Sequence, residues 1–449
     1  MIATLSGALI VQAGEEAESL RTSLAFPNPA YRQALRMREQ GRKVPLPSMV
    51  IQPCLDVEHN SRTWVLAPRC ASWKGSLADA RTSPVADLVS TTLALRPYQQ
   101  RALESWVKAD REGVIVAPCG AGKTMVGLAA ICATPTPALV LVHTLDLAKQ
   151  WVERAKGLGI EAALISDGRA PVVARVVVAT IQTLVTWDFW QRLVWAKNFG
   201  LTVLDEAHHV PAETWGQVAL SLPGAARLAL TATPRRADGL TDLIHLHVGA
   251  TVAEITPAEL QEVGATMAPG IWRIDTGWTC STEGAEWTAM LTEMLEDEDR
   301  QRTLFAIARE LLSQGRQVLI LTERVPHAEA TALALGGIAI HARLPKKARA
   351  AAMAGLSNGT IRCAVATQLA DEGLDVPGLD ALILAVPCTQ AGRLEQRVGR
   401  AMRAHPGKQT PIVVDLVDAG RLAGLWFGRS KVYRKLGATL VDPTVRMAA

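Results

Sequence analysis

The stretch GVIVAPCGAGKTMVGLAAICA, residues 113 to 133, constrains the fold more than any other. A β-branched apolar run breaks at Pro118-Cys119-Gly120-Ala121-Gly122, and the chain resumes at Lys123-Thr124 with a helical pattern. A strand that feeds a helix through so short a glycine-rich turn belongs in a parallel sheet, where each strand leaves through a crossover. Gly120 and Gly122, on either side of Ala121, let backbone N–H groups close around an anion. The start of the helix adds its positive end, Lys123 supplies a mobile cation, and Thr124 offers a hydroxyl to a divalent ion. Ala117 stands where the pattern G-x-x-x-x-G-K-[ST] has its first glycine.

The same alternation continues downstream. Strand-like runs at 113–118, 138–143, 175–180, 201–206 and 227–233 are separated by helix-length polar stretches, and a second series follows at 317–322, 337–342, 361–367, 380–386 and 411–417. Short continuous apolar runs spaced by helices predict parallel strands buried on both faces. The expectation is therefore an α/β chain with two such domains in tandem, residues 93–256 and 257–449. Residues 234 to about 258 read as a connector rich in turn formers. Residues 1–92 differ, with prolines at 27, 29, 45, 47, 53, 68 and 84 and strand candidates only at SMVIQPCL and RTWVLA. They are expected to form a small N-terminal accessory domain.

A second motif supplies what the glycine-rich turn lacks. In LTVLDEAHHV, residues 201–210, an apolar run stops at Asp205-Glu206. An acid at the end of a later parallel strand can hold Mg²⁺, and the next residue, Glu206, can take a proton from water attacking a γ-phosphate. A zinc site is a poor alternative: Asp205 and His208 are spaced i, i+3, but H-E-x-x-H is absent and no Cys or His groups with them. The seven cysteines are scattered with no C-x-x-C pair, which speaks against a disulfide framework and for a reducing cytosol. The net charge of +4 is too small to identify a polyanion partner by itself. The N-terminus lacks a basic n-region, and no segment reads as a membrane span, so no membrane partner is expected.

With these motifs in place, residues 93 to about 435 resemble the superfamily 2 helicases and translocases of the DEAH type, built from two RecA-like lobes, with ATP and Mg²⁺ as cofactors. LRPYQQRAL, 95–103, looks like the adenine-reading element, in which Gln99 pairs with the base and Arg96 packs nearby. The resemblance makes Thr124 and Asp205 the metal residues and Glu206 the catalytic base. LVHTLDLAKQW and VATIQTL look like segments that grip a sugar-phosphate backbone through Thr144, Thr180 and Gln182, with helix capping as the alternative reading of those threonines. TATP, 231–234, looks like the element that senses hydrolysis, with Thr231 and Thr233 communicating with His208. In VATQLADEGLDVP the resemblance assigns Thr367 to the tracked strand, Gly373 to a turn and Asp375 to the ribose. In EQRVGRAMR, Gln396, Arg400 and Arg403 would line the cleft and stabilise the γ-phosphoryl charge.

The branch looks like the one containing XPB, UvsW and the type III restriction motor subunits. Arg236-Ala237-Asp238 lies where XPB relatives carry Arg-Glu-Asp, and Arg236 would face nucleic acid. LAFPNPAYRQALRMREQGRKVP, 24–45, is similar to the small domain that precedes the motor in phage and bacterial members, with Arg32, Arg36, Arg38, Arg42 and Lys43 on a basic face. The resemblance implies a DNA helicase or translocase moving 3′ to 5′ on single-stranded, duplex or forked DNA, largely independent of sequence, in a bacterial or phage-infected cytoplasm. An RNA helicase is one alternative. Another is an ATP-gated clamp that recruits a nuclease, replication or recombination protein.

Overall fold

The computed structural model describes residues 2–6, 8–39, 44–51, 53–74, 76–87, 93–166, 174–206, 213–232, 241–281, 286–367, 376 and 378–443. The chain divides into two compact units, residues 1–117 with 122–255, and residues 118–121 with 256–449.

The first unit opens with β1 (Ile2–Leu5), β2 (Ala8–Gln12), helix α1 (Glu15–Leu24), β3 (Phe26–Pro27), helix α2 (Pro29–Glu39), β4 (Val50–Ile51), β5 (Leu55–His59), β6 (Arg62–Pro68) and β7 (Ser76–Asp79). Five of these strands pair in the order β5-β6-β2-β1-β7, and β3 pairs with β4. Period-2 alternation divides the side chains of this sheet between two faces. Leu9, Val11, Val65 and Ala67 pack with Ala17, Leu20 and Leu24 of α1 on one face. Ala8, Ile10, Trp64 and Leu66 pack with Phe189 and Leu220 on the other. The N-terminal sheet thus has a core of its own and is also built onto the rest of its unit. Arg69 secures that junction: its buried guanidinium pairs with Glu112 and donates to Gly224 O at 2.8 Å and Ala225 O at 3.0 Å. Thr82 adds two backbone bonds, its N–H donating to Pro223 O and its carbonyl accepting from Ala225.

The rest of the unit runs α3 (Pro97–Lys108), β8 (Glu112–Val116), α4 (Lys123–Cys132), β9 (Ala138–Val142), α5 (Leu145–Gly157), β10 (Ala162–Ile165), β11 (Val176–Thr180), α6 (Ile181–Val185), α7 (Phe189–Ala196), β12 (Leu201–Asp205), α8 (Glu213–Leu220), β13 (Ala226–Thr231), α9 (Thr241–Val248) and β14 (Thr251–Glu254). Among the described residues, its seven strands are all parallel, in the order β10-β11-β9-β12-β13-β8-β14. Runs such as Val176-Val177-Val178 are buried on both faces, as a sheet covered by helices on each side requires. The segment expected to be a connector is instead part of this unit over 241–254, because Val252 and its neighbours extend the sheet edge beside β8.

The second unit contains α10 (Pro257–Glu262), β15 (Gly270–Asp275), α11 (Trp287–Glu296), α12 (Glu298–Ser313), β16 (Val318–Leu321), α13 (Val325–Ala334), β17 (Ile338–Ile340), α14 (Lys346–Ser357), β18 (Cys363–Ala366), β19 (Ala381–Leu384), α15 (Ala391–Ala401), β20 (Ile412–Val417), α16 (Leu425–Lys435) and β21 (Thr439–Leu440). Its parallel order, β17-β18-β16-β19-β20-β15-β21, repeats that of the first unit strand for strand. GIWRID, which is not among the strand-like runs read from the sequence, is β15, and Ile271, Trp272 and Ile274 enter the core. Beyond β15, Thr276 Oγ1 donates to Asp418 Oδ1 at 2.6 Å, and Arg300 holds the same buried carboxylate through Nε at 2.7 Å and Nη2 at 3.1 Å.

Candidate nucleotide site

The glycine-rich turn sits where β8 leaves the sheet. The Ala117 N–H donates to Thr231 O at 2.8 Å, so the root of the turn is tied to the last residue of β13. Gly122 occupies the N-cap of α4 with φ +75°. An L side chain pays about 1–2 kcal/mol for that left-handed conformation, which glycine adopts freely. The space argues the same way, because a Cβ at Gly122 would lie 2.6 Å from Gln99 Nε2. The N-cap Gly122 makes no side-chain cap bond and no acid stands in the first turn of α4. Thr124 is buried at that end, and Ala121 is buried just before it.

Gln99 is the third residue of α3, and its Oε1 accepts from the Arg96 N–H at 3.0 Å, closing the helix start. Its amide nitrogen faces the Gly122 backbone, while the Arg96 guanidinium donates to Tyr98 Oη at 3.2 Å.

The acids stand at the end of β12. Glu206 has φ +55°, an unusual conformation for a residue with a Cβ, and carries its carboxylate to 3.2 Å from Lys123 Nζ. Asp205 is buried; its Oδ1 accepts from the Glu206 N–H at 3.0 Å and its Oδ2 from the Trp151 indole at 2.8 Å. Burial, and then the adjacent Glu206 charge, push the Asp205 carboxyl above the usual range, with Lys123 and the Trp151 hydrogen bond opposing. A carboxylate, a hydroxyl and glycine N–H groups beside a lysine fit a phosphate-bound Mg²⁺: the oxygens are hard ligands, and a cation would relieve the charge that burial penalises.

The other sequence-assigned residues are placed as follows. Thr231 is fully buried beside Val116. Thr144 caps α5, its Oγ1 accepting from Leu147 N–H, and Thr180 caps α6 in the same way toward Thr183. Gln182 is exposed on α6, and Thr367 follows β18 with its N–H bonded to Ile340 O. Gln396 and Arg400 lie half-buried on α15, and Arg403 lies just beyond its end. His208, Thr233, Arg236, Gly373, Asp375, Arg42 and Lys43 lie outside the described residues.

Two residues that the motifs did not single out contact sequence-assigned ones, each within its own unit. Trp151, on the buried Ala148-Trp151-Ala155 stripe of α5, reaches Asp205 54 positions away. Lys408 places its ammonium on the carbonyls of Ala401 and Arg403 at 2.6 and 2.7 Å, satisfying the end of α15 and fixing the backbone of Arg403. A buried tryptophan needs a partner for its N–H, the one sequence cue that could have flagged Trp151.

Comparisons with known proteins bear on the fold and the family. Residues 92–236 match the family described as type III restriction enzyme, res subunit, and residues 303–405 match the helicase conserved C-terminal domain. A putative ATP-dependent RNA helicase of Acanthamoeba polyphaga mimivirus is 27% identical over 352 residues, which cover 75% of this chain and 66% of the relative. A putative DNA 3′-5′ helicase, Rad25, of Halobacterium salinarum is 29% identical over 377 residues, covering 79% of this chain and 61% of the relative. The chain thus spans less than two thirds of the length of each of these relatives. Among solved structures, S. cerevisiae Dbp5 bound to RNA and ADP BeF3 superposes with a TM-score of 0.59 at 18% identity, covering 78% of this chain and 90% of that one, a likeness of fold. The two seven-stranded sheets are tandem RecA-like domains preceded by a small N-terminal domain.

Proposed function

We propose, for a chain built from the two helicase domains of superfamily 2, that it is an ATP- and Mg²⁺-dependent DNA helicase or translocase of the XPB and phage-helicase branch. The observation that carries this reading is the cluster of Lys123, Thr124, Asp205 and Glu206 around the uncapped start of α4, with Lys123 and Glu206 in direct contact. Bound Mg²⁺ would neutralise phosphate charge and polarise the transferring group.

Each residue then has a task. Glycine N–H groups and Lys123 take the β- and γ-phosphates, and Thr124 with Asp205 holds the metal. A phosphate arriving at Lys123 competes with Glu206 for the ammonium and releases that carboxylate to accept the proton of the attacking water. Gln99 and Arg96 read the base. We assign Gln396, Arg400 and Arg403 to the charge that develops on the γ-phosphoryl group, Gly373 and Asp375 to the ribose side, and His208, Thr231 and Thr233 to coupling. Thr144, Thr180, Gln182, Arg236 and Thr367 are assigned to the nucleic-acid strand, on which Thr144 would act as a donor, since its oxygen already accepts from a helix N–H, while the Thr180 hydroxyl is also hydrogen-bonded to Thr183 Oγ1.

DNA is the favoured partner because of the likeness to a relative named as a DNA 3′-5′ helicase. The mimivirus relative, named as an RNA helicase, supports RNA as a second reading. Steady-state ATPase assays with no polynucleotide, single-stranded DNA, duplex DNA, forked DNA and RNA test both, with Lys123→Ala as the blank. DNA stimulation with displacement of a triplex-forming strand is expected. Stimulation by RNA alone overturns the DNA assignment, and wild-type hydrolysis by Lys123→Ala overturns the site.

A further inference from the structure

We propose that Trp151 is a positioning residue for the metal-binding acid, holding the Asp205 carboxylate in one orientation through its indole N–H. The inference rests on the nucleotide reading of the site and extends it to a residue outside the motifs that bind phosphate or water.

The Trp151 side chain is entirely buried, and its Nε1 donates to Asp205 Oδ2 at 2.8 Å. Asp205 Oδ1 accepts from the Glu206 backbone at 3.0 Å. Each oxygen therefore spends one lone pair on a fixed donor and keeps another for a cation, and the carboxylate cannot turn without breaking a hydrogen bond at one end. The ring is itself immobilised. A Cβ on Gly127 of α4 would lie 2.4 Å from Trp151 Cη2 and 3.1 Å from Leu230 Cδ1, so only glycine admits the indole against the helix that begins at Lys123. The tryptophan is thus wedged between the helix that follows the phosphate turn and the strand that ends in the metal acid.

Packing alone does not explain this residue type. Phenylalanine would fill most of the space without bringing an N–H into the core, where an unpartnered donor is costly. The donor is present and is spent on a charged acceptor, the stronger class of hydrogen bond. Groups that orient a metal ligand from behind, when mutated, typically lower metal affinity about ten- to hundredfold.

The test uses the full chain. In ¹⁵N-indole-labelled protein, the Trp151 signal, assigned by its loss in Trp151→Phe, should lie downfield, shift on Asp205→Asn, and shift again when Mg²⁺ is added to the ADP complex. In parallel, Mn²⁺ binding to the ADP complex, read by electron paramagnetic resonance, should weaken about ten- to hundredfold in Trp151→Phe, while ADP affinity in EDTA stays within twofold. Mn²⁺ affinity in Trp151→Phe within twofold of wild type, or an indole signal indifferent to Asp205→Asn, overturns the proposal. If Trp151→Phe fails to fold, the Asp205→Asn arm decides without it: one downfield indole signal among the twelve tryptophans should move, and none moving overturns the proposal. A wild-type chain that binds neither ADP nor Mn²⁺ with it would instead sink the nucleotide reading, so the two failures are distinct.

Discussion

Replacing Gly122 with alanine should destabilise the first unit by two separable amounts. The backbone there has φ +75°, and placing an L residue in that conformation costs about 1–2 kcal/mol. The new Cβ would also lie 2.6 Å from Gln99 Nε2, inside any allowed contact. Gln99 can retreat only by releasing the Arg96 N–H that its Oε1 now accepts at 3.0 Å, a net loss of about 1 kcal/mol. Gly122→Ala alone should therefore cost about 2–3 kcal/mol. In a Gln99→Ala background the collision partner is gone and the same change should cost only about 1–2 kcal/mol, leaving a coupling of about 1 kcal/mol between the sites. The assay is urea unfolding of the four proteins of this cycle, without nucleotide, read at the transition of the first unit. Equal increments in both backgrounds, with coupling below about 0.3 kcal/mol, would refute the claim that Gln99 fills the space behind the glycine turn.

Further outcomes follow from other contacts. Glu206→Gln should leave nucleotide binding near wild type while hydrolysis falls at least about a hundredfold; loss of binding in a fluorescent ADP titration would mark Glu206 as structural. Arg69→Met removes the guanidinium from Glu112, Gly224 O and Ala225 O and should cost about 3 kcal/mol in urea unfolding, whereas a change under about 0.5 kcal/mol would mean that the Arg69 contacts do not secure the N-terminal sheet. Burial, followed by Arg300, lowers His327 to about 4, and burial, followed by Arg227, lowers His247 to about 3. Below about pH 6.5 the unfolded chain takes protons that the folded imidazoles refuse, so stability falls with pH down to those values. Between pH 6.5 and 4.5, His327→Asn should lose about 2–3 kcal/mol less than wild type, and parallel profiles would contradict the burial argument.

The legibility of this chain depended on the range over which each signal acts. The phosphate turn could be read because strand, glycines, lysine and helix follow one another within about twenty residues, and Asp205-Glu206 could be read because a buried run ends on them. The central strands were also visible, as continuous apolar runs. The edges were not: Thr251–Glu254 is a half-exposed strand with a weak pattern, and Gly270–Asp275, next to Pro269, lacks a continuous apolar run. In the N-terminal sheet, Ile2–Leu5 and Ala8–Gln12 were weighed only as a leader or anchor, since their partners lie as far away as Ser76–Asp79. Trp151 escaped for the same reason, because its function depends on an acceptor that only the tertiary fold brings to it. Thr144 and Thr180 show the converse, where a local reading as helix caps was available and matches the observed hydrogen bonds.

The repeated strand order carries a consequence for stoichiometry. β8 and β15 hold the same place in their sheets, so the turn after β15 is the second unit's counterpart of the phosphate turn. There the chain supplies an anion of its own: Asp418 takes the Thr276 hydroxyl and the Arg300 guanidinium, and Trp278 is packed nearby with Met290, Met294 and Leu422. In the second unit this place is thus taken by an internally paired Asp418–Arg300 ion pair. Equilibrium dialysis should accordingly return one ADP per chain, and two would refute the inequivalence of the two sheets.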